Sequence, residues 1–276
     1  MKMPEMTGMQ DTGRRVPILV YHHVYEDDDP GLAKTAGAKA TGTIAVSEFR
    51  RHLEFLADGG WRPVSTTAVV DWIGGQGELP DRAVALHFDN GWLDTRTITM
   101  PIMDEYGFKG TCYVISEGTE AASKGTTAAI HTSTEGVVSK PCITWKQAEE
   151  LLEAGWEIGA HTATHPRLAE LLAEQGEGAV LEEIEGSNRA YADALGFVPE
   201  HFAYPSGSRD EKTDALLESH YRSLRLWHFS RPQVWSFTDR STSPMALDCQ
   251  NVDNTVAFED FRRIFDEVLE GDAQAG

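Results

Sequence analysis

Residues 83–88 read Ala-Val-Ala-Leu-His-Phe, an apolar run too short for a typical helix and without the polar alternation of a half-exposed strand. Such a run suits a strand covered on both faces, as in a parallel sheet flanked by helices. Residues 17–21, 110–115, 156–160, 201–204 and 221–226 are further strand candidates, and Val64 closes a short one. Between them lie segments with helical spacing. Ser47 caps a helix with Phe49, Leu53 and Leu56 on one face and Gly59-Gly60 at its end; others cover residues 67–73 and 97–106. Thr144 and Gln147 form a capping box for a helix that ends at Gly155. A long helix over 179–195 stops at Gly196, and another follows residues 201–207. A last helix over 258–269 places Phe258, Phe261, Phe265 and Val268 on one face. Strands alternating with helices argue βαβ units and an α/β fold.

A chain of 276 residues suits one α/β barrel domain, assigned to residues 16–270, with flexible tails over 1–15 and 271–276. Two stretches break the alternation. Residues 27–43, rich in Asp, Gly and Ala, read as a long mobile loop, and residues 117–140 as a polar loop insertion. Loops of that length are commonly functional or disordered.

Composition narrows the function. Three widely spaced cysteines, Cys112, Cys142 and Cys249, give neither a disulfide framework nor a thiolate zinc site, and fit a reducing compartment. A formal net charge of −20 disfavours nucleic acid and anionic membranes as partners. The first fifteen residues lack the basic-then-apolar pattern of a secretory signal, and no stretch nears the roughly 18 apolar residues of a membrane span. The expectation is a cytoplasmic protein acting on a small molecule or oligosaccharide, of open oligomeric state.

Three polar clusters follow strand candidates, the end of an α/β barrel that carries chemistry. His161-Thr-Ala-Thr-His165 can aim two neutral imidazoles at one divalent ion, although the same spacing also describes a solvated helix face. Asp89, in Phe88-Asp89-Asn90-Gly91, can act as general base on a metal-activated water; Asp-Asn-Gly is equally a strong turn sequence. Tyr204-Pro205-Ser206-Gly207 fixes a tight turn that can aim a backbone N–H at an oxyanion, or can be only a turn.

In this order the clusters resemble the polysaccharide deacetylase family (NodB-like, the family-four carbohydrate esterases). His87 to Gly91 matches its Thr-Phe-Asp-Asp-Gly motif, and His161, Thr162 and His165 match His-Ser/Thr-x-x-His. Phe202 to Gly207 matches the Phe-Ala-Tyr-Pro-x-Gly form of one branch, as does Tyr21-His22-His23-Val24 its Tyr-His-x-Val opening. The resemblance also covers Thr144-Trp145 and the Leu-x-x-x-Gly-x-x-Ile-Gly spacer, and spans roughly residues 16–226. It implies a distorted (β/α)7-type barrel and N- or O-deacetylation. It further implies Asp89 as base, His161 and His165 as metal ligands, and the Ser206 N–H as oxyanion donor.

Four departures stand out. Asn90 replaces the family's metal-binding second Asp; its amide oxygen can ligate, but the site loses a negative charge. His87 replaces the Thr and shares the side of Asp89, so it either reaches the site or sits as a satisfied polar residue in the barrel. Ala203 stands where many members place an Arg that orients the base. The late Leu-x-His motif, source of the general acid, has no clear match; His228 and His23 are the candidates. His23, His87, Trp92 and Tyr204 are candidate substrate contacts. The cofactor expected is a divalent ion, zinc by default for imidazole donors, with cobalt, nickel or manganese suiting the same set. The leading expectation is therefore a metal-dependent deacetylase or related amidase acting on an N-acetylated amino sugar. Its rivals are a catalytically silent binding protein and a non-sugar C–N hydrolase of the allantoinase or cyclic-imide type.

Overall fold

The computed structural model describes residues 13–34, 42–227 and 235–275. In chain order the strands are β1 Ile18–Tyr21, β2 His23–Tyr25, β3 Thr43–Ala45, β4 Arg62–Pro63, β5 Ala83–Asn90, β6 Thr111–Val114, β7 Ile130–Thr132, β8 Gly136–Val138, β9 Glu157–Ala160, β10 His201–Ala203, β11 Ser223–Arg225 and β12 Gln250–Asn251. The helices are α1 Pro30–Lys34, α2 Val46–Asp58, α3 Thr66–Ile73, α4 Met100–Glu105, α5 Ser116–Ser123, α6 Trp145–Glu153, α7 Leu168–Gln175, α8 Glu177–Leu195, α9 Glu211–Leu217 and α10 Phe258–Ala275.

The main sheet is parallel, in the order β11-β10-β9-β6-β5-β1-β12, with β4 added along the first half of β5. Its two ends meet. Leu226 N–H donates to the Leu247 carbonyl and Leu247 N–H to that of Leu224, so the chain entering β12 pairs with β11. The result is the distorted barrel that the motif order implied. All eight residues of β5 are buried, as expected of a strand covered on both faces. Val84, Leu86 and Phe88 join the helix-side core, while Ala83 and Ala85 pack with Ile18, Val20 and the α3 residues Val69, Val70 and Trp72. Side chains alternate along a strand, so His87 and Asp89 share the side of Ala83 and Ala85.

The sequence expectations need several corrections. Ser47 does not cap α2; the helix begins at Val46 behind Ala45, and the Ser47 N–H donates to Asp27 Oδ1 at 3.0 Å. A π-helical turn, Thr95–Thr99, precedes α4. Residues 117–140 are not a loop, because α5 fills the first part and the β7–β8 hairpin the second. That hairpin is anchored behind β5 by Leu93 N–H to Pro141 O and Ile143 N–H to Gly91 O, at 3.0 and 2.9 Å. Within 27–43, α1 and the start of β3 are regular, and residues 35–41 lie outside the described residues. Arg14 donates to the Leu79 carbonyl at 3.0 Å, and α10 runs to Ala275; residues 1–12 lie outside the described residues. Among the described residues no helix is long and apolar enough to cross a membrane.

α10 docks on α2 through a stack that includes a buried histidine. His52 lies 3.8 Å from Phe261 between ring centroids, its Nδ1 meets the Tyr21 hydroxyl at 3.2 Å, and its Nε2 has no partner. Burial, with a smaller push from Arg51, lowers its pKa to about 3. In the unfolded chain it titrates near 6.5, so its contribution is complete above that pH and is lost progressively as pH falls toward 3. His52→Phe should cost about 1–3 kcal/mol at pH 7, by leaving the Tyr21 hydroxyl unpaired. The variant should then lose about 1–2 kcal/mol less than the wild type between pH 7 and pH 5. Urea unfolding at both pH values measures this, and equal losses would exclude His52 as a source of acid lability.

Candidate active site

β5, β9 and β10 each hand the chain directly to one of the three motifs, and the motifs converge on one cavity. Asp89, Asn90, His161, His165 and Ser206 line it, together with His22 from the junction of β1 and β2. Among the described residues, four non-glycines have positive φ: Asn90 at 76°, Thr162 at 66°, His165 at 70° and Ser206 at 55°. All four belong to these motifs. L-residues enter that region at a cost of roughly 1 kcal/mol or more, and such strain collects where a side chain must be aimed.

The two histidines are held by their outer nitrogens. His161 Nδ1 lies 2.7 Å from the Ala203 carbonyl, and His165 Nδ1 lies 2.6 Å from that of His131. A carbonyl only accepts, so Nδ1 carries the proton and each Nε2 keeps its lone pair. Burial lowers the pKa of His161 to about 3 and of His165 to about 4, so both rings are neutral at pH 7. The turn between them is fixed from α8, where Glu183 Oε2 accepts from Ala163 N–H at 3.1 Å and Thr164 N–H at 2.9 Å. The rings lie 4.8 Å apart between centroids.

Asn90 Oδ1 is buried and has no hydrogen-bond partner. Two imidazole lone pairs and an orphaned amide oxygen on one cavity make a donor set that a divalent cation fits. Among the described residues no cluster of three His, Cys, Asp or Glu is placed to hold a metal ion; the third donor here is an amide.

Asp89 is buried, and Arg225 Nη2 lies 2.6 Å from both of its carboxylate oxygens. Burial pushes the Asp89 pKa up, but the Arg225 guanidinium, with His161 and His22, outweighs it and holds the carboxyl at about 2. Arg225 is fully buried at the end of β11, its guanidinium 4.9 Å above the Tyr113 ring. Sequence reasoning missed this residue. Two signals could have found it: an arginine between Leu224 and Leu226 in an apolar strand, and Ala203 standing where many relatives carry an Arg.

The other expected residues divide. Trp92 lines the cavity and stacks on His23 at 4.8 Å. His23 lines it as well, but Asp94 Oδ1 engages its Nδ1 at 2.9 Å and Lys140 Nζ faces its Nε2 at 3.3 Å. Two expected contacts are corrected. His87 is fully buried below Asp89, with Nε2 at 3.1 Å from Thr66 Oγ1, because its place two residues earlier on β5 sets it deeper in the barrel. Tyr204 packs into the helix-side core and donates its hydroxyl to Asp214 at 2.7 Å. His228 lies outside the described residues.

The hairpin insertion forms one wall of the cavity. Thr132, Ser133, Thr134 and Glu135 line it, Ser133 donates to the Ser206 hydroxyl at 2.7 Å, and the neighbouring His131 carbonyl holds His165.

Breaking a buried ion pair strands a charge. Arg225→Met should therefore destabilise the protein by about 3–5 kcal/mol. The double variant Asp89→Asn/Arg225→Met should fall short of the summed single losses by about 1 kcal/mol or more. Chemical denaturation of the four proteins decides it, and strict additivity would show the two groups to be uncoupled.

The polysaccharide deacetylase family model matches residues 76–222, just over half of the chain. YxkH of Bacillus subtilis (strain 168), which carries a polysaccharide-deacetylase name, is 21% identical over 199 residues, 72% of this chain and 59% of that protein's length. The Streptococcus pyogenes deacetylase PplD superposes with a TM-score of 0.71 at 21% identity, covering 92% of this chain and 99% of that one. A de-N-acetylase from Aggregatibacter actinomycetemcomitans gives 0.72 at 18% identity over 91% and 99%, and IcaB from Ammonifex degensii gives 0.69 at 19% over 92% and 97%. At such identities the superpositions speak for the fold, while the family model covers a span that includes Asp89, Asn90, His161, His165 and Ser206: the chain belongs to the polysaccharide deacetylase family.

Proposed function

We propose that this protein is a metal-dependent hydrolase that removes the acetyl group from an N-acetylated amino sugar, free or within an oligosaccharide. One observation carries the reading. His161 and His165 are pinned by Nδ1 so that both Nε2 atoms serve the cavity where Asn90 Oδ1 lies buried and unpartnered beside Asp89. His161, His165 and Asn90 would hold a divalent ion, zinc being the first choice for imidazole donors. When bound, such an ion supplies Lewis acidity to the acyl oxygen and makes water a better nucleophile at neutral pH.

The chain supplies the rest. Asp89 takes the proton of the attacking water, and Arg225 keeps that carboxylate charged and aimed. The Ser206 N–H, at the turn after β10, serves as donor to the acyl oxygen as negative charge develops there. Trp92 and the β7–β8 hairpin wall the cavity and limit water around the reacting group.

Purified protein loaded with zinc should hold about one ion per chain by elemental analysis, and His161→Ala should lose it. Asn90→Asp, which restores a charged oxygen, should tighten zinc binding on the order of tenfold or more. Asp89→Asn should lower acetate release from N-acetylglucosamine oligomers by about 10²–10⁴-fold while keeping the ion. Failure to bind zinc, together with no acetate release, would leave a binding protein on a deacetylase fold.

A further inference from the structure

The β7–β8 hairpin is a sheet of its own, not joined to the barrel strands. A two-stranded hairpin is at best marginally stable by itself. Its apolar hold is small: Ile130 packs with Trp92, Ile115 and Cys142, while Val137 on β8 is 68% exposed. Polar pins supply the rest, and each reaches a different motif. The His131 carbonyl accepts from His165 Nδ1, Ser133 donates to the Ser206 hydroxyl, and residues 141 and 143 pair with Leu93 and Gly91, just after Asn90. The fourth pin is Lys140, two residues beyond β8. Its Nζ donates to Glu135 Oε2 at 2.5 Å, to the Tyr25 hydroxyl at 3.1 Å and to His23 Nε2 at 3.3 Å. An ammonium only donates, so His23 accepts on Nε2 and carries its proton on Nδ1, which donates to Asp94 Oδ1 at 2.9 Å. Glu135 lies in the turn between β7 and β8, and His23 stacks on Trp92 in the cavity wall. Lys140 therefore ties the hairpin turn to the wall built from β2 and Trp92.

We propose that Lys140 is a positioning residue, a latch that holds the hairpin against the cavity and, through the His131 carbonyl, keeps His165 aimed at the metal site. The proposal rests on the metal-dependent reading above. Latch and metal site then share one equilibrium. When the hairpin lifts, the His165 ring loses the acceptor that fixes its tautomer and direction. Losing such a partner weakens metal binding by about 10–100-fold. Coupling between two binding events is reciprocal, so lifting is opposed by the same factor once an ion is bound. Local opening of this kind is read by amide exchange, because a hairpin held by few apolar contacts opens well before the barrel unfolds.

The test is hydrogen exchange of the full-length protein, read on peptides by mass spectrometry, without zinc and at saturating zinc. In the wild type, zinc should slow exchange of the amides of residues 130–138 by about 10–100-fold. Without zinc, Lys140→Met should speed those amides by about 5-fold or more, the effect of losing an ion pair and two hydrogen bonds, and leave the amides of β5 and β6 unchanged. Saturating zinc should return most of the lost protection to the variant. Glu135→Gln cuts the latch from the hairpin side and should act in the same direction if the methionine variant folds poorly. Zinc that binds but leaves hairpin exchange unchanged overturns the proposal. So does a Lys140→Met effect spread equally over hairpin and barrel strands, since a merely structural lysine behaves that way. A wild-type protein that takes up no zinc fails the metal-dependent reading itself, and the latch falls with it.

Discussion

A carboxylate stays charged inside a barrel only if a cation is buried with it. Asp89 and Arg225 meet that condition from opposite parts of the sheet, β5 and β11, so the ion pair depends on the barrel being curled as it is. The sheet order separates these strands by three others, and the pairing of Leu247 with β11 brings the ends together. Such a pair adds little net stability, because desolvating two ions offsets most of their attraction. It makes better sense as positioning: the guanidinium fixes the carboxylate at the rim where the histidines also converge.

A second constraint acts on the backbone. Three strand ends must each turn sharply while aiming a side chain or an N–H inward, and each uses a non-glycine residue in the left-handed region. The strain is held by neighbours outside the motifs. Glu183 on α8 fixes the turn after β9, and the hairpin fixes His165 and Ser206. An insertion that reads in sequence as an addition is thus part of what shapes the donor set.

Much of this was legible because short apolar runs and the residues just after them carry local signals. Asp89, His161 and His165 sit beside strands that announce themselves, and the capping box at Thr144 needs only its own four residues. What was hidden depends on contacts distant in sequence. Arg225 is 136 residues from its partner, and nothing near it indicates a carboxylate. His22, which also lines the cavity, appeared only as a motif letter beside His23. His87 shares the parity of Asp89 but not its depth, and sequence gives parity alone. The hairpin was hidden because β7 and β8 are three residues each, too short for periodicity to register.

The charges around the cavity combine to an unusual result. The chain carries a formal net charge of −20, yet the candidate donors are two neutral imidazoles and an amide, and the Asp89 carboxylate beside them is already matched by Arg225. A divalent ion bound there would gain little ligand charge and keep most of its own. That weakens its hold, and it strengthens its pull on the electrons of any oxygen it polarises. With such an ion bound, Asn90 in place of a carboxylate would exchange affinity for acidity.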